Sequence, residues 1–549
     1  MKLLFRARQE LVNLIFTALP PAPVFDANFE PRLPWPDTAI GSECAQRIID
    51  LADQLQRHQF PIFSTTIDAG ADIRWRRDYL LGIETGLDYF RLIPYLDTAR
   101  AGDHKTIWEL NRQQHLVILA QAHLLTHEDR YLDEIRAQIE SWIAANPFQR
   151  GINWASALEV AFRALSWMWV YPLVGPRLPG EFRARWLHML YLHGCHLANN
   201  LSFYFSPNNH LIGEALALHA LGLFFAGMPR AARWEQVGGR VMREQMDIQI
   251  RDDGSSFEQS THYQVYVLDM FLVHAALACP GPEYLAKLER MAGFLHSVTG
   301  PSGLPPMLGD DDGGKLLLSP IPRPPAPAKW ESRLFPDAGI AVMIGGNTHA
   351  IIDAGPFGGL NSGHSHSDTL SIILRSGNEE ILIDPGTYTY TGDPQWRDWF
   401  RGSSAHNTIR IDGRDQAVVA GPFAWKRLPE VRILCWQTDA ERDVLEAECR
   451  YAGFGFIHRR RVEFQKPDLF LITDDVDGPA GEHDIEQFWH LGSLAARSKL
   501  MLPADAELTE GWRSTMFGEK RPSPVLRVYR RLTLPLRLEA RVNLTELGA

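Results

Sequence analysis

Residues 361–371 read NSGHSHSDTLS, a run that sets His364, His366 and Asp368 at alternate positions. In a β-strand alternate side chains share a face, so two imidazoles and a carboxylate would converge there. His406 in SSAHNTIRI and Asp384 in LIDPG fall near the same predicted sheet. Two neutral imidazoles and a carboxylate form a common open site for a divalent metal, and this grouping favours metal binding. The plainer alternatives are a solvated Gly/Ser-rich turn for His364 and His366, and a satisfied strand-end histidine for His406.

Three further stretches concentrate polar and ionisable residues: FSPNNHLIGEALAL, DDGSSFEQSTHYQVYVLDMF and FRGSSAHNTIRIDG. Asn208, Asn209 and His210 precede an apolar helical run, where Asn is a preferred helix cap. Tyr263, flanked by His262 and Tyr266, opens another such run, and its plain role is an aromatic packed with its hydroxyl at the surface. The acidic run GDDDGG (309–314) lacks the spacing of a calcium loop and reads as a solvated turn.

These residues need elements to hold them, and the chain supplies two textures. From about residue 40 to 300, apolar residues recur at helical spacing, as in TIWELNRQQHLVILAQAHLL and ALEVAFRALSWMWVYPLV. Such segments joined by short breakers imply stacked helix pairs, either a solenoid or a toroid. Residues 319–330, SPIPRPPAPAKW, read as a proline-rich linker. Beyond it short β-rich runs such as GIAVMIGG, LSIILRSG and DLFLITDDV alternate with turns, which favours antiparallel sandwich sheets. The expected class is thus α+β multidomain, with helices over 1–318 and a β-sandwich over 331–549.

The 549 residues are 45% hydrophobic with a net charge of −11, which argues against general nucleic-acid or anionic-membrane binding but leaves room for a local basic cleft. The five cysteines show no CxxC spacing and read as buried thiols. No segment approaches the roughly 20 apolar residues that cross a bilayer. The start, MKLLFRARQELVNLIFTALPPAP, is interrupted by Glu10 and Asn13, so it predicts an amphipathic first helix over a signal peptide. Cytoplasm and periplasm both stay open.

In order along the chain, KTIWELNRQQHL, GINWASALEVAFRALSW, PNNHLIGE, EQSTHYQVYVLD, GHSHSD, LIDPGTYTY and FRGSSAHNTIRIDG resemble the heparinase II/III family of polysaccharide lyases and the related alginate lyases. The resemblance spans most of the chain. It implies an incomplete (α/α) toroid followed by antiparallel β-sheets, and an acidic polysaccharide as substrate. It assigns Asn209 and His210 to the uronate carboxylate, Tyr263 and His364 to catalysis, and His366, Asp384 and His406 to a structural divalent ion, zinc being the expected one. Asn153, Trp154, Glu159 and Arg163 fall where family toroids line the groove. The catalytic group would then span both domains. The chain is shorter than many members, and the second tyrosine of some alginate-type enzymes has two candidates, Tyr388 and Tyr390.

The implied reaction is β-elimination at a uronate. Removing the C5 proton adds negative charge beside a carboxylate, so that group must first be hydrogen-bonded or neutralised, a task for Asn209 and His210. A base must reach C5 and an acid O4, and Tyr263 and His364 can serve. The ion would anchor His366 and so orient His364. Three other readings compete: an inactive polysaccharide-binding protein, a glycoside hydrolase using Glu258 and Asp253, and a non-haem iron oxygenase ligating through His366, Asp368 and His406.

Overall fold

The computed structural model describes residues 2–545 except 24, 26–28, 32, 34–41, 319 and 320. Ser319 and Pro320 of the expected linker therefore lie outside the described residues. The chain divides into two compact units that interleave in sequence. Unit 1 comprises 1–248, 269–285 and 314–323; unit 2 comprises 249–268, 286–313 and 324–549. The long helices end at Thr299 and the sheets open at Arg333, but the expected division at 318 is not that of the compact units: 249–268 and 286–313, both in the helical half of the sequence, belong to the unit that holds the sheets.

Unit 1 is built almost wholly of helices. His115–Thr126, Ala157–Val174 and Asn209–Phe224 are apolar nearly all round and buried, whereas Arg130–Ala145 buries one stripe. Ala157–Val174 packs against Asn209–Phe224, His115–Thr126 and Gly180–Asn200. Gly213 eases the contact of Asn209–Phe224 with Ala157–Val174, since a Cβ there would meet Leu158 Cδ1 at 2.6 Å. Of the free cysteines, Cys195 and Cys449 are buried as expected, but Cys44 and Cys279 are exposed.

Among the described residues, unit 2 carries three large antiparallel sheets and a two-stranded one formed by Val418–Gly421 and Ala424–Arg427. The first runs in chain order through Arg333–Phe335, Ile340–Gly345, Thr348–Asp353, Ile372–Ser376 and Glu379–Leu382. The second is six-stranded and centred on Ile457–Gln465 and Leu469–Asp477; the third is four-stranded and includes Glu482–His490 and Ile409–Ile411. Alternating burial along Leu469–Asp477 matches the pleat. All three sheets feed one apolar core, in which Leu374, Val462, Phe464, Ile472 and Trp489 meet.

A buried ion pair ties this core to the loops above it. Arg460 Nε and Nη2 donate to Asp474 at 2.7 and 2.8 Å, while Nη1 donates to the carbonyls of Leu370 and Asn407 at 2.7 and 2.5 Å. Burial would raise the Asp474 carboxyl, but Arg460 and His458 outweigh it and hold it well below the usual carboxylate range. The loops before Ile372 and after His406 are thus fastened by one guanidinium.

Unit 1 contains a carboxyl of the opposite kind. Glu214, fully buried, is pushed up to about 8 by burial despite accepting from Ser202 N and Oγ, each at 2.7 Å. A carboxyl raised above its unfolded value favours the protonated fold, so its contribution is fully present below about pH 4.3 and is lost as pH rises through about 8. Glu214→Gln should therefore raise the unfolding free energy at pH 9 by several kcal/mol, on the scale of about 1.4 kcal/mol per unit of displacement, and leave it nearly unchanged at about pH 3.5, below the unfolded value. Urea denaturation at the two pH values checks this; an equal effect at both would contradict the assignment.

Candidate active site

The site in unit 2 is organised around Asp310, fully buried in the run read from sequence as a solvated turn. That reading is corrected by its partners. Oδ2 lies 3.0 Å from His364 Nδ1, Oδ1 lies 2.9 Å from His366 Nε2, and Arg397 donates to both oxygens, from Nη2 at 2.9 Å and from Nη1 in a very short contact. Burial would raise the Asp310 carboxyl, yet Arg397 and the two histidines hold it well below the usual range. Gly309 (φ +64°) makes the approach possible, because a Cβ there would meet the carbonyls of Gln259 and His364 at 2.7 Å. Asp310 N in turn donates to His364 O at 2.9 Å.

The histidine run is not a strand. Residues 354–371 form turns and irregular backbone, and the strand begins only at Ile372. Leu360, Ser362 and Leu370 adopt positive φ, a conformation that costs a non-glycine residue on the order of 1–2 kcal/mol. Local bonds offset it: Ser362 Oγ donates to Gly358 O at 2.7 Å, and Ser365 Oγ accepts from Gly358 N at 2.8 Å. His364 and His366 converge because one carboxylate holds both rings, not because of a pleat.

Tyr263 lies near the start of helix Thr261–Ala278 and stacks on His364, ring centroids 3.8 Å apart. Its hydroxyl donates to Asp312 Oδ2 at 3.2 Å and lies 3.1 Å from the Tyr390 hydroxyl. Burial, reinforced by the charge of Asp312, pushes the Tyr263 phenol well above its ordinary value, so it holds its proton at neutral pH. Of the two candidate second tyrosines, Tyr390 meets Tyr263, whereas Tyr388 packs against Trp396 and Phe400 beside Lys520. His364 Nε2 faces Glu258 Oε2 at 3.4 Å.

His366, Asp384 and His406 are buried with ligand atoms within 4.8 Å of one another. His366 Nδ1 and His406 Nε2 are buried with no hydrogen-bond partner among the described residues. Their other nitrogens are engaged, by Asp310 at 2.9 Å and by Asp384 Oδ2 at 2.8 Å. Two orphaned imidazole nitrogens beside a carboxylate fit a divalent cation, with Asp310 as the carboxylate that orients a ligating histidine. Asp368 is not in this group, although it is buried nearby and its carboxyl is raised by burial.

In unit 1 the helix cap is Asn208, whose side chain accepts from His210 N at 3.2 Å; Asn209 is the first helical residue and is buried. Glu159 is paired with Arg112 at 2.7 and 3.0 Å. Burial would raise its carboxyl, but Arg112 foremost, with Lys105 and His210, lowers it. Asn153, Trp154 and Arg163 do not line a groove. All three are fully buried: Arg163 donates to His193 Nε2 at 2.9 Å and to Asn153 O at 3.0 Å, and Asn153 donates to Asn146 Oδ1 at 2.8 Å. A polar side chain in an aromatic-rich motif reads as surface in sequence, but here it satisfies interior backbone.

The family described as Heparinase II/III N-terminus matches residues 35–317, and that described as Heparinase II/III-like, C-terminal, matches 327–541. A heparin-sulfate lyase of Bacteroides stercoris is 23% identical over 436 residues, 68% of this chain and 62% of the relative. One from Pedobacter heparinus is 24% identical over 426 residues, 69% of this chain and 61% of the relative. The chain thus spans about three fifths of the length of the curated relatives it matches. A solved heparinase III superposes with a TM-score of 0.70 at 17% identity, over 96% of this chain and 89% of that one. The fold is accordingly a helical toroid followed by antiparallel sheets.

Asp310 should dominate the acid stability of unit 2. A carboxyl depressed below its unfolded value contributes stability that is present above about pH 4 and lost as pH falls through the folded value. Asp310→Asn strands Arg397, and is expected to lower the unfolding free energy at pH 7 by about 3–5 kcal/mol. The difference should shrink toward pH 3. Denaturant titrations of both proteins at the two pH values measure it, and a constant difference would rule out the ionised carboxylate.

Proposed function

Because the chain belongs to the heparinase II/III family, we propose that it is a polysaccharide lyase that cleaves a uronic-acid-containing polysaccharide by β-elimination. The observation that carries this reading is the stacked Tyr263–His364 pair, with the histidine held from behind by Asp310. The ionised Asp310 fixes the proton on His364 Nδ1, which leaves Nε2 as the working nitrogen. Nε2 faces Glu258 at 3.4 Å, and the charge of that carboxylate would favour the imidazolium that forms, so the imidazole suits removal of the C5 proton. Tyr263 rests as a phenol and suits protonation of the departing O4. Asn209 and His210 are proposed to hydrogen-bond the uronate carboxylate as charge develops on it.

We assign zinc to His366, Asp384 and His406. When bound, the ion supplies a fixed positive charge that holds these side chains and orders the loop bearing His364. Proton transfer remains with Tyr263 and His364. The rival chemistries fit less well. For a hydrolase, Asp253 is committed to the backbone N–H groups of Asp337 and Ala338, each at 2.9 Å. For an oxygenase, the carboxylate grouped with the histidines is Asp384, not Asp368.

Tyr263→Phe keeps the ring and deletes the hydroxyl. Release of unsaturated ends, followed by ultraviolet absorbance across a panel of uronate polymers, should fall by at least roughly 100-fold, the scale of lost acid–base catalysis. Wild-type rates in a folded variant would reject the mechanism, and a wild type silent on every polymer that it nevertheless binds would favour the binding-protein reading. Elemental analysis should find one zinc per chain, lost in a His366→Ala/His406→Ala variant together with a fall in Tm. Full retention of metal in that variant would reject the ligand set.

A further inference from the structure

The first helix, Lys2–Ala18, is amphipathic but turned the wrong way for a helix on a globular surface. Its buried residues are Gln9 and Asn13. Asn13 donates to Asn200 Oδ1 at 2.8 Å and accepts from Gln149 and Asn199 at 2.9 and 2.8 Å, and Thr17 Oγ1 donates to Gln149 Oε1 at 2.7 Å. The opposite face carries Leu3 and Leu4, 84% and 77% exposed, and Leu11, Leu14, Ile15 and, one residue past the helix end, Leu19, each at least 50% exposed. Rolling these side chains inward would break the amide network, so the outward apolar stripe is fixed. A contiguous stripe of this kind marks an interaction surface.

Charge identifies the partner. In a chain of net charge −11, the helix bears Lys2, Arg6 and Arg8, and its one acid, Glu10, is neutralised by Arg91 at 2.8 Å. Arg8, Arg230 and Arg233 line a cavity of about 460 Å³ along the helix, and none of the three has a carboxylate partner among the described residues. Gln9 lines the same cavity with its buried Oε1 unbonded. No described helix is long and apolar enough to cross a membrane. The helix precedes residue 35, where the family match begins.

We propose that this helix docks the protein on an anionic phospholipid surface. It lies in the interface plane, with its leucines among the acyl chains and its arginines against the headgroup phosphates. This extends the sequence-based expectation, in which overall negative charge argued against membrane binding: the local field at the helix is positive.

The test is co-sedimentation of the full chain with vesicles of phosphatidylcholine containing 30% phosphatidylglycerol. Wild type should pellet with these vesicles, at least tenfold less with pure phosphatidylcholine, and less again with mixed vesicles in 0.5 M NaCl. Leu3→Ser/Leu4→Ser/Leu11→Ser alters only exposed side chains, and Arg6→Glu/Arg8→Glu alters two exposed ones, of which Arg6 rests over the Phe205 ring and Arg8 lines the cavity. Each should retain the wild-type circular dichroism and lose at least fivefold in binding. Wild type remaining in the supernatant, or either variant binding as well as wild type, would overturn the proposal. So would a leucine variant that only converts a dimer to a monomer in light scattering, because the face would then be covered by a second copy.

Discussion

The carboxylate of Asp310 is the constraint on which unit 2 depends. It is a single buried charge shared among a guanidinium and two imidazoles, and each partner belongs to a different part of the site. Through Arg397 it fixes the short helix Pro394–Phe400, through His364 the proton-transfer pair, and through His366 the metal group. A buried charge of this sort is tolerated only when every lone pair is engaged, which explains why the surrounding geometry is so tightly specified. Because both histidines share one carboxylate, a change in the electrostatics of one reaches the other without any intervening motion.

The sheets set the boundary conditions for that cluster. Arg460 and Asp474 reach up from the core to the carbonyls of Leu370 and Asn407, so the two histidine-bearing loops rest on a common support. The loops are irregular and partly in left-handed backbone, and such conformations persist only where the surroundings over-determine them. Rigidity is thus imported from the sandwich beneath. The site needs no regular secondary structure of its own at His364, His366 or His406.

Much of this was legible in the sequence because periodicity reports burial directly: the switch from helical to strand spacing marks where the helices give way to sheets. The pairing of Tyr263 with His364 and the grouping of His366, Asp384 and His406 were legible through ordered motifs. Asp310, Asp312 and Arg397 were not. Asp residues between glycines have the composition of a wet turn, and only tertiary packing buries them. The converse error occurred at Asn153, Trp154 and Arg163, where polar and aromatic types suggest a groove but satisfy interior carbonyls. Periodicity also reveals that the first helix has two faces without revealing which one turns inward.

The interleaving of the two units bears on how such a protein can be altered over time. Tyr263 and Asp310 lie within the stretch matched by the N-terminal family, whereas His364 and Arg397 lie within the C-terminal one. The apparent seam between 317 and 327 therefore runs through the middle of one electrostatic cluster in unit 2. Exchange of a whole half with a distant relative would separate a buried anion from its cation unless both sequences kept the same pairing. The two halves are thus bound to a common inheritance: they are modular as folds, but indivisible as a charge-balanced whole.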